Sequence, residues 1–389
     1  MARAVRAYVK IDGQSPPDGI VFSSVEFSEV VTGRPAAASE LVLSVPNPGY
    51  RLTDALALMP GREIDVWVSL DGDEASAVHL AHAIIAKTET RFTPAGVTPP
   101  IIVTARSAQE GAQRGAQVEA YAKQKDGAKV RAIARRNGWI TTTRGLSTVA
   151  DGGAPRADNQ SAPDMQFLAQ IADRYSYDVS VGWDQKAKRW VLWWGPPPVD
   201  DSSPLDIRHN DPDHPPELSC TFDPIVGSVG YQVGAIRVQG FNVESEQVAT
   251  GQIKETTSYD PQLKKRITTS AEVMRTVPTG ATIRATVFGE SVSLHVDKPI
   301  STQAQAQEFA ENWLRTQGDR FISGIGTMPG DPSVRAGQVH DLSFYADELA
   351  GPRRINWYSG PYHFTSVKHT IKAGTGYTVQ FGARKRATR

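Results

Sequence analysis

The sequence HFTSVKHTIKAGTGYTVQFGARK, from His363 to Lys385, predicts one strand, a glycine-rich turn and a second strand. Its two histidines and its basic end would also suit a catalytic site. A catalytic triad requires an activated Ser or Cys and an orienting acid. The chain has no G-x-S-x-G motif, and Cys220 lies in a strand-like pattern typical of a small buried residue. The stretch therefore predicts a structural hairpin.

A similar order of features occurs near the start of the chain. From Gly61 to Arg106, a strand follows a glycine, and an outgoing strand, a turn and a return strand come after it. The same order runs from Gly337 to Arg384, with Thr88–Phe92 aligned to Lys368–Lys372. This pattern predicts an internal duplication and a quasi-symmetric shape. The alternative reading is that two β-hairpins are similar by composition alone.

The bulk properties favour a multidomain cytoplasmic protein. A chain of 389 residues predicts two to four units, each large enough to bury a core. Lys plus Arg equals Asp plus Glu, which argues against a dedicated nucleic-acid binder. A single cysteine excludes an internal disulfide, as expected for a reducing compartment. We expect neither a signal peptide nor a membrane span, because the sequence shows no apolar stretch of the length that either requires.

Changes in pattern predict the domain boundaries. Residues 1–108 alternate in the manner of antiparallel strands and predict a first β unit. Helical spacing and a strand pair predict an inserted α+β domain over 109–216. A second β unit is predicted over 217–243 and 301–389, with a polar insertion at 244–300 between its two parts.

Four blocks resemble one known family. They are FLAQIADRYSYDVSV (167–181), AQEFAENWLR (306–315), GDPSVRAGQ (330–338) and SGPYHFTSVKHTIKAGTGYTVQF (359–381). Together they are similar to the phage baseplate hub proteins, which include the late control gene D proteins of contractile-tailed phages and the N-terminal part of VgrG spike proteins. The positions that carry the family motif and are expected to serve assembly are Phe309, Trp313, Gly337, Tyr362, Val367, His369, Gly376 and Tyr377.

The resemblance implies a β-rich α+β fold with two antiparallel β-barrel-like tube domains, related by duplication, and an inserted helical domain. It implies a homotrimer that forms a pseudo-sixfold ring, without enzymatic activity and without a cofactor. Its expected partners are the tail tube protein, a central spike, baseplate wedge proteins and the tape measure protein. VgrG continues into a spike, whereas this sequence ends at Arg389, so the spike is expected to be a separate polypeptide. The expected location is the virion tail baseplate, assembled in the bacterial cytoplasm.

Two other classes of function remain open. Residues 128–139 resemble LysM-type peptidoglycan-binding modules, and a peptidoglycan- or glycan-binding module could use aromatic stacking. The candidate aromatics, which also suit a core or a protein interface, are Trp183, Trp190, Trp193 and Trp194. A tail-associated hydrolase is the third class, although no convincing pair of carboxylates supports it. His209, Asp211, Asp213 and His214 could ligate a divalent metal, but their proline-rich stretch at a boundary favours a solvated linker. His79 and His82 lie near a strand start without an evident third ligand, which argues against a metal there.

Overall fold

The computed structural model describes residues 5–31, 36–92, 99–141, 155–196, 204–211, 215–242, 247–254, 280–289, 292–298, 302–346 and 353–386. These residues form a β-rich α+β fold built around one large, mainly antiparallel sheet. The strands of that sheet are β1 (Arg6–Ile11), β2 (Ser24–Val30), β3 (Glu40–Val45), β4 (Glu63–Ser69), β5 (Val78–Glu89), β6 (Ile101–Arg106), β12 (Asp206–His209), β13 (Thr221–Val226), β17 (Ile322–Pro329), β18 (Val339–Ala346), β19 (Arg353–Arg354), β20 (Gly360–Lys372) and β21 (Gly376–Lys385).

The first six strands form one unit, with the spatial order β1-β4-β5-β6-β3-β2. Alternation decides which face of each strand is buried. In β4, for example, Ile64, Val66 and Val68 are fully buried, whereas Glu63 and Asp65, which alternate with them, point away from the core. All six strands lie within residues 1–108, where the sequence predicts a first β unit.

Six later strands form a second unit with the same spatial order, β12-β18-β20-β21-β17-β13. Aromatic residues fill its core: Phe364 stacks on Phe381 with ring centroids 4.4 Å apart, and Phe222 packs beside both Phe344 and Tyr362. The first strand differs between the units, because β1 runs antiparallel to β4 whereas β12 runs parallel to β18.

The two units are joined edge to edge. Strand β2 of the first unit pairs antiparallel with β20 of the second, from Ser24 opposite Lys372 to Val30 opposite Ser366. One hydrophobic core runs through both units. The expectation of two barrels is therefore modified: among the described strands, the units share one open sheet and neither closes into a barrel.

The inserted domain lies between β6 and β12 and has its own core. Its elements are α1 (Gln109–Gln113), β7 (Glu119–Gln124), α2 (Asp126–Arg136), β8 (Ile140–Thr141), β9 (Arg156–Gln160), α3 (Asp164–Ala172), β10 (Asp178–Asp184) and β11 (Arg189–Gly195). Strands β7 and β9 pair antiparallel, and β10 and β11 form a hairpin. Helix α3 buries Phe167, Leu168 and Ile171 in this core, as the apolar stripe predicts.

A third, smaller layer consists of β14 (Ala235–Asn242), β15 (Gln247–Lys254), β16 (Val292–Lys298) and α5 (Gln303–Gly318); helix α4 (Gly280–Phe288) precedes β16. The sequence patterning groups β14 and α5 with the second β unit. Helix α5 packs its apolar face on β14, where Phe309 and Ala310 meet Ile236 and Val238. Most of the predicted insertion at 244–300 lies outside the described residues.

Candidate assembly site

The two β units correspond in backbone detail. Gly61 and Gly337, which the sequence aligns, both have a positive φ, +94° and +91°. Each stands two residues before its strand and donates its N–H to a long partner strand, Gly61 to Ile85 O at 2.8 Å and Gly337 to Phe364 O at 2.7 Å. Only glycine adopts this backbone conformation without strain. The two glycines therefore occupy the same place in the two units.

The long strands β5 and β20 also bend at the same place. Ile85 N–H donates back to Arg62 O, and Phe364 N–H donates back to Gln338 O. In each strand a bulge follows at the next residue, between Ile85 and Lys87 and between Phe364 and Ser366. The matching bulges support the duplication over the alternative of coincidental similarity, since bulges are specific features of a strand.

The bulges correct one part of the sequence alignment. Counting from them, Thr88 corresponds to Val367, one residue before the Lys368 that the sequence suggests. The loops that join the corresponding strands differ in length, and alternation alone does not reveal a slip of one residue. The alignment of Arg106 with Arg384 agrees with the structure, because Ile84 pairs with Arg106 and His363 pairs with Arg384.

Two of the family-motif residues meet at the junction of the units. A hydrogen bond of 2.7 Å joins Tyr377 Oη and Nδ1 of the buried His369, and His369 stacks against Phe27 of β2. Next to them, Arg335 forms two hydrogen bonds with Glu29 of β2, at 2.7 and 2.5 Å, and its guanidinium lies over Phe27. These polar side chains thus link β2 to the second unit.

Burial sets the protonation states in this cluster. Burial, reinforced by the positive charge of Arg335, lowers the pKa of His369 to about 4, so its imidazole is neutral at neutral pH. Burial alone would raise the pKa of Glu29, but the charge and hydrogen bonds of Arg335 outweigh it and hold that pKa below its ordinary value. Burial raises the pKa of Tyr377. The junction therefore contains a neutral His–Tyr pair beside an Arg–Glu ion pair.

The other motif residues have structural positions. Tyr362 is fully buried and donates its hydroxyl to Tyr358 O at 2.6 Å, and Val367 is buried opposite Glu29. Gly376 has φ +92° in the hairpin turn. Phe309 and Trp313 lie away from the junction, on α5, where His295 makes edge contacts with both rings.

The four tryptophans divide between core and domain contact. Trp194 is buried in the inserted domain and donates to Leu168 O. Trp183 stacks on His82 of β5 with ring centroids 3.6 Å apart, and Trp190 lies beside it. Trp193 is partly buried and lines a cavity of about 660 Å³ between the inserted domain and the large sheet. Trp183 and Trp190 thus anchor the inserted domain to the first β unit.

The histidines weighed as metal ligands have a local partner. His79 and His82 both donate to Oδ1 of Asp65, each over 3.0 Å, and these bonds hold the pKa of Asp65 well below its ordinary value although burial opposes them. Within the described ranges, no group of His, Cys, Asp or Glu is arranged to hold a metal ion. Asp213 and His214 lie outside those ranges. Burial raises the pKa of Cys220 to about 12, unlike that of an activated thiol.

Sequence reasoning missed the partners that β2 brings to the junction. Besides Phe27 and Glu29, Glu26 forms ion pairs with Lys368 at 2.8 Å and Lys372 at 3.4 Å on the outer face. The acidic residues of β2 and the basic residues of β20 both recur along strands, but nothing local indicates that strands more than 300 residues apart are neighbours. Of the helices described, none is both long and apolar enough to cross a bilayer.

No protein-family model matches the chain, and no curated protein matches it. Solved structures do. A tail protein from Neisseria meningitidis MC58 is 10% identical and matches 98% of this chain and 96% of its own, with a TM-score of 0.58. The 43 kDa tail protein of a Shewanella oneidensis prophage is 9% identical, with 98% of both chains covered and a TM-score of 0.58.

An E. coli component of the type VI secretion system, described as structurally similar to the bacteriophage T4 tail proteins gp27 and gp5, is 11% identical. The match covers 98% of this chain and 77% of that chain, with a TM-score of 0.53. At these identities, the likeness shows a shared fold.

Proposed function

Since the chain has the fold of phage tail proteins, we propose that it is a structural baseplate hub protein of a contractile phage tail or a related contractile injection system. In this proposal three chains form a pseudo-sixfold ring. One face of the ring receives the tail tube protein, and the other holds the central spike. Baseplate wedge proteins and the tape measure protein are further proposed partners.

The observation that carries the proposal is the duplicated β unit. Two six-strand units with one strand order, one opening glycine and one bulge position lie side by side in a single sheet. Two similar units in each chain allow three chains to present six similar faces. A ring of this kind can join a sixfold tube to a threefold spike, because it has six similar units but three identical chains.

The junction suits a mechanical role. A continuous backbone ladder, a shared apolar core and the Arg335–Glu29 ion pair hold the units together. Sheet edges that are paired do not recruit foreign strands. The motif residues His369 and Tyr377 therefore act by fixing the relative position of the units.

The oligomeric state tests the proposal. Light scattering on the purified chain, 42.2 kDa per copy, should give the mass of three copies, and negative-stain class averages should show a ring of six similar lobes. A chain that stays monomeric even when mixed with the tail tube and spike proteins would overturn the hub.

One observation favours a second function, the binding of peptidoglycan or another glycan. The cavity beside Trp183 and Trp193 also contains Gln185, Lys186 and Asp178, a mixture of aromatic and polar groups that suits a sugar. Pull-down of the whole chain by peptidoglycan, lost in Trp193→Ala and retained in Trp194→Phe, would support it. Equal retention by both variants would exclude this cavity.

A further inference from the structure

The internal junction predicts a second, unfilled junction of the same kind. Strand β20 changes partner along its length: Gly360–His363 pairs with β18, and beyond the bulge Ser366–Lys372 pairs with β2. Strand β5 pairs with β4 up to Ile84, as β20 pairs with β18. Beyond its bulge, from Lys87 onward, no described strand pairs with that edge of β5.

The strand that corresponds to β2 has an open edge as well. Strand β13 pairs with β17 on one side and ends the sheet on the other, among the described strands. Because Gly227 N–H donates to Phe321 O on the β17 side, alternation directs the backbone groups of Phe222, Pro224 and Val226 to the open edge. We propose that β13 of one chain pairs with residues 87–92 of a second copy, as β2 pairs with β20 within the chain.

The registers specify the pairing. Ser24 and Thr221 hold equivalent places beside β3 and β17, and the bulges relate Val367 to Thr88. Applied to the β2·β20 register, these equivalences set Val226 opposite Thr88 and Phe222 opposite Phe92 of the neighbour. We call this contact the β13–β5 seam. It rests on the proposed ring, since it is the contact that would repeat around it.

Exposure supports the seam. Strand β5 ends at Glu89, and when the count from the bulge is continued past that end, Phe92 corresponds to Ile371. Ile371, which β2 covers, is 8% exposed, whereas Phe92 is 74% exposed. On the incoming strand, Ile225 is 66% exposed and Val226 is 41% exposed. Large apolar groups on two open strand edges are typical of a surface that becomes buried on association.

The loop before β4 extends this apolar surface. Thr88 Oγ1 donates to Leu58 O, which places the loop against the open half of β5, and the same loop exposes Leu56 and Met59. In the second unit, the corresponding loop carries Arg335, which contacts β2. The loop before β4 would thus contact the incoming strand in the seam, as the loop that carries Arg335 contacts β2 in the internal junction.

Charge is complementary across the seam. Glu26, the acidic residue of β2, pairs with basic residues of β20, and its equivalent on β13 is Asp223. The register sets Asp223 directly opposite Arg91, while Glu89 on the same strand is already paired with Lys87. Pro224 offers no N–H at the open edge, which disfavours pairing of two β13 edges with each other.

A cysteine pair tests the register. Opposite residues of a non-hydrogen-bonded antiparallel pair have Cα atoms about 4.5 Å apart, within disulfide range. In a Cys220→Ala background, the double variant Asp223→Cys with Arg91→Cys should cross-link on oxidation. A non-reducing gel should then show bands of one, two and three chains and none larger. Asp223→Cys with Lys87→Cys is the matched control, because four residues along a strand span about 13 Å and should prevent the bond.

The outcomes separate the seam from the hub. A trimer by mass that forms no 223–91 disulfide would overturn the seam and leave the hub standing. A ladder that continues past three chains would support the edge pairing and overturn closure at three. A chain that stays monomeric and forms no disulfide, even when it is mixed with the tail tube and spike proteins, would overturn both.

Val226→Pro gives an independent test. It removes one N–H that faces the open edge and leaves the bonds to β17 in place, so the monomer should keep its melting temperature. Association should weaken about tenfold for each seam, the effect of one lost hydrogen bond. Val226→Thr keeps the N–H and should associate normally, and equal association of both variants would contradict backbone pairing here.

Discussion

Substitution of Gly330 by alanine should destabilise the junction through Tyr377. A Cβ built on Gly330 lies 1.9 Å from Tyr377 Cγ and 2.1 Å from Cδ1. Carbon atoms in contact are about 3.5–4 Å apart, so the ring would have to move by more than about 1.5 Å. Tyr377 is held at both ends, because its backbone O accepts from Gly330 N–H at 3.0 Å and its Oη shares a hydrogen bond with His369 Nδ1.

The size of the effect follows from these contacts. Overpacking a core costs about 1–3 kcal/mol, and leaving buried His369 without its partner costs about 1–3 kcal/mol more. We therefore expect Gly330→Ala to lower the free energy of unfolding by about 2–6 kcal/mol, measured by urea denaturation and circular dichroism. Gly182→Ala is the matched control: a Cβ there meets nothing within 4 Å, so the change should stay within about 0.5 kcal/mol.

A double-mutant cycle identifies the ring as the cause. In a Tyr377→Ala background the clash is absent, and Gly330→Ala should then cost less than about 1 kcal/mol. An equal cost with and without the Tyr377 ring would refute the reasoning, as would a native-background cost below about 0.5 kcal/mol.

Three further predictions concern the junction, the inserted domain and its anchor. Because the pKa of His369 is about 4 in the fold and about 6.5 when unfolded, the unfolded chain binds more protons between these values, and the contribution of His369 to stability should fall by about 2 kcal/mol from pH 7 to pH 5. Buried His363, with a pKa of about 3, adds a loss of the same sign, so urea denaturation of His369→Gln should show a shallower loss that does not vanish. Lys129→Met leaves Asp126 and Asp158 short of a counter-charge and should destabilise the inserted domain by about 3 kcal/mol. Faster proteolysis confined to residues 109–196 would show this loss of stability, and an unchanged cleavage rate would contradict it. Trp183→Ala removes a stacked pair with His82 worth about 1 kcal/mol and should speed proteolysis between the inserted domain and the sheet, while Trp194→Phe, which keeps that stack, should not.

Local patterning predicts much of the fold but not its assembly from parts. The hairpin at 363–385, the helix over α5 and the apolar stripe of α3 are where alternation and helical spacing place them. The sequence predicts two barrel-like units, whereas the described strands of both units share one open sheet and one core. Which elements share a core depends on contacts between distant residues.

The candidate site shows the same division. Gly337 and Gly376 stand out in the sequence because glycine next to a strand indicates a turn with positive φ, which the structure has at both. His369 and Tyr377 stand out because they lie in a block that resembles the hub proteins. Their partners Glu29, Phe27 and Arg335 do not, because ordinary charged and aromatic residues in strands give no indication of what lies opposite them.

The strands, their buried faces and the similarity between the two ends of the chain can be predicted from local sequence, since each depends on neighbours within a few residues. Three features cannot: that the two units share one sheet, that the bulges fix the true register of the repeat, and that β13 and β5 have open edges among the described strands. Strand pairing joins residues hundreds of positions apart, and a backbone edge can pair with many side-chain sequences. The packing of the whole chain selects the partner.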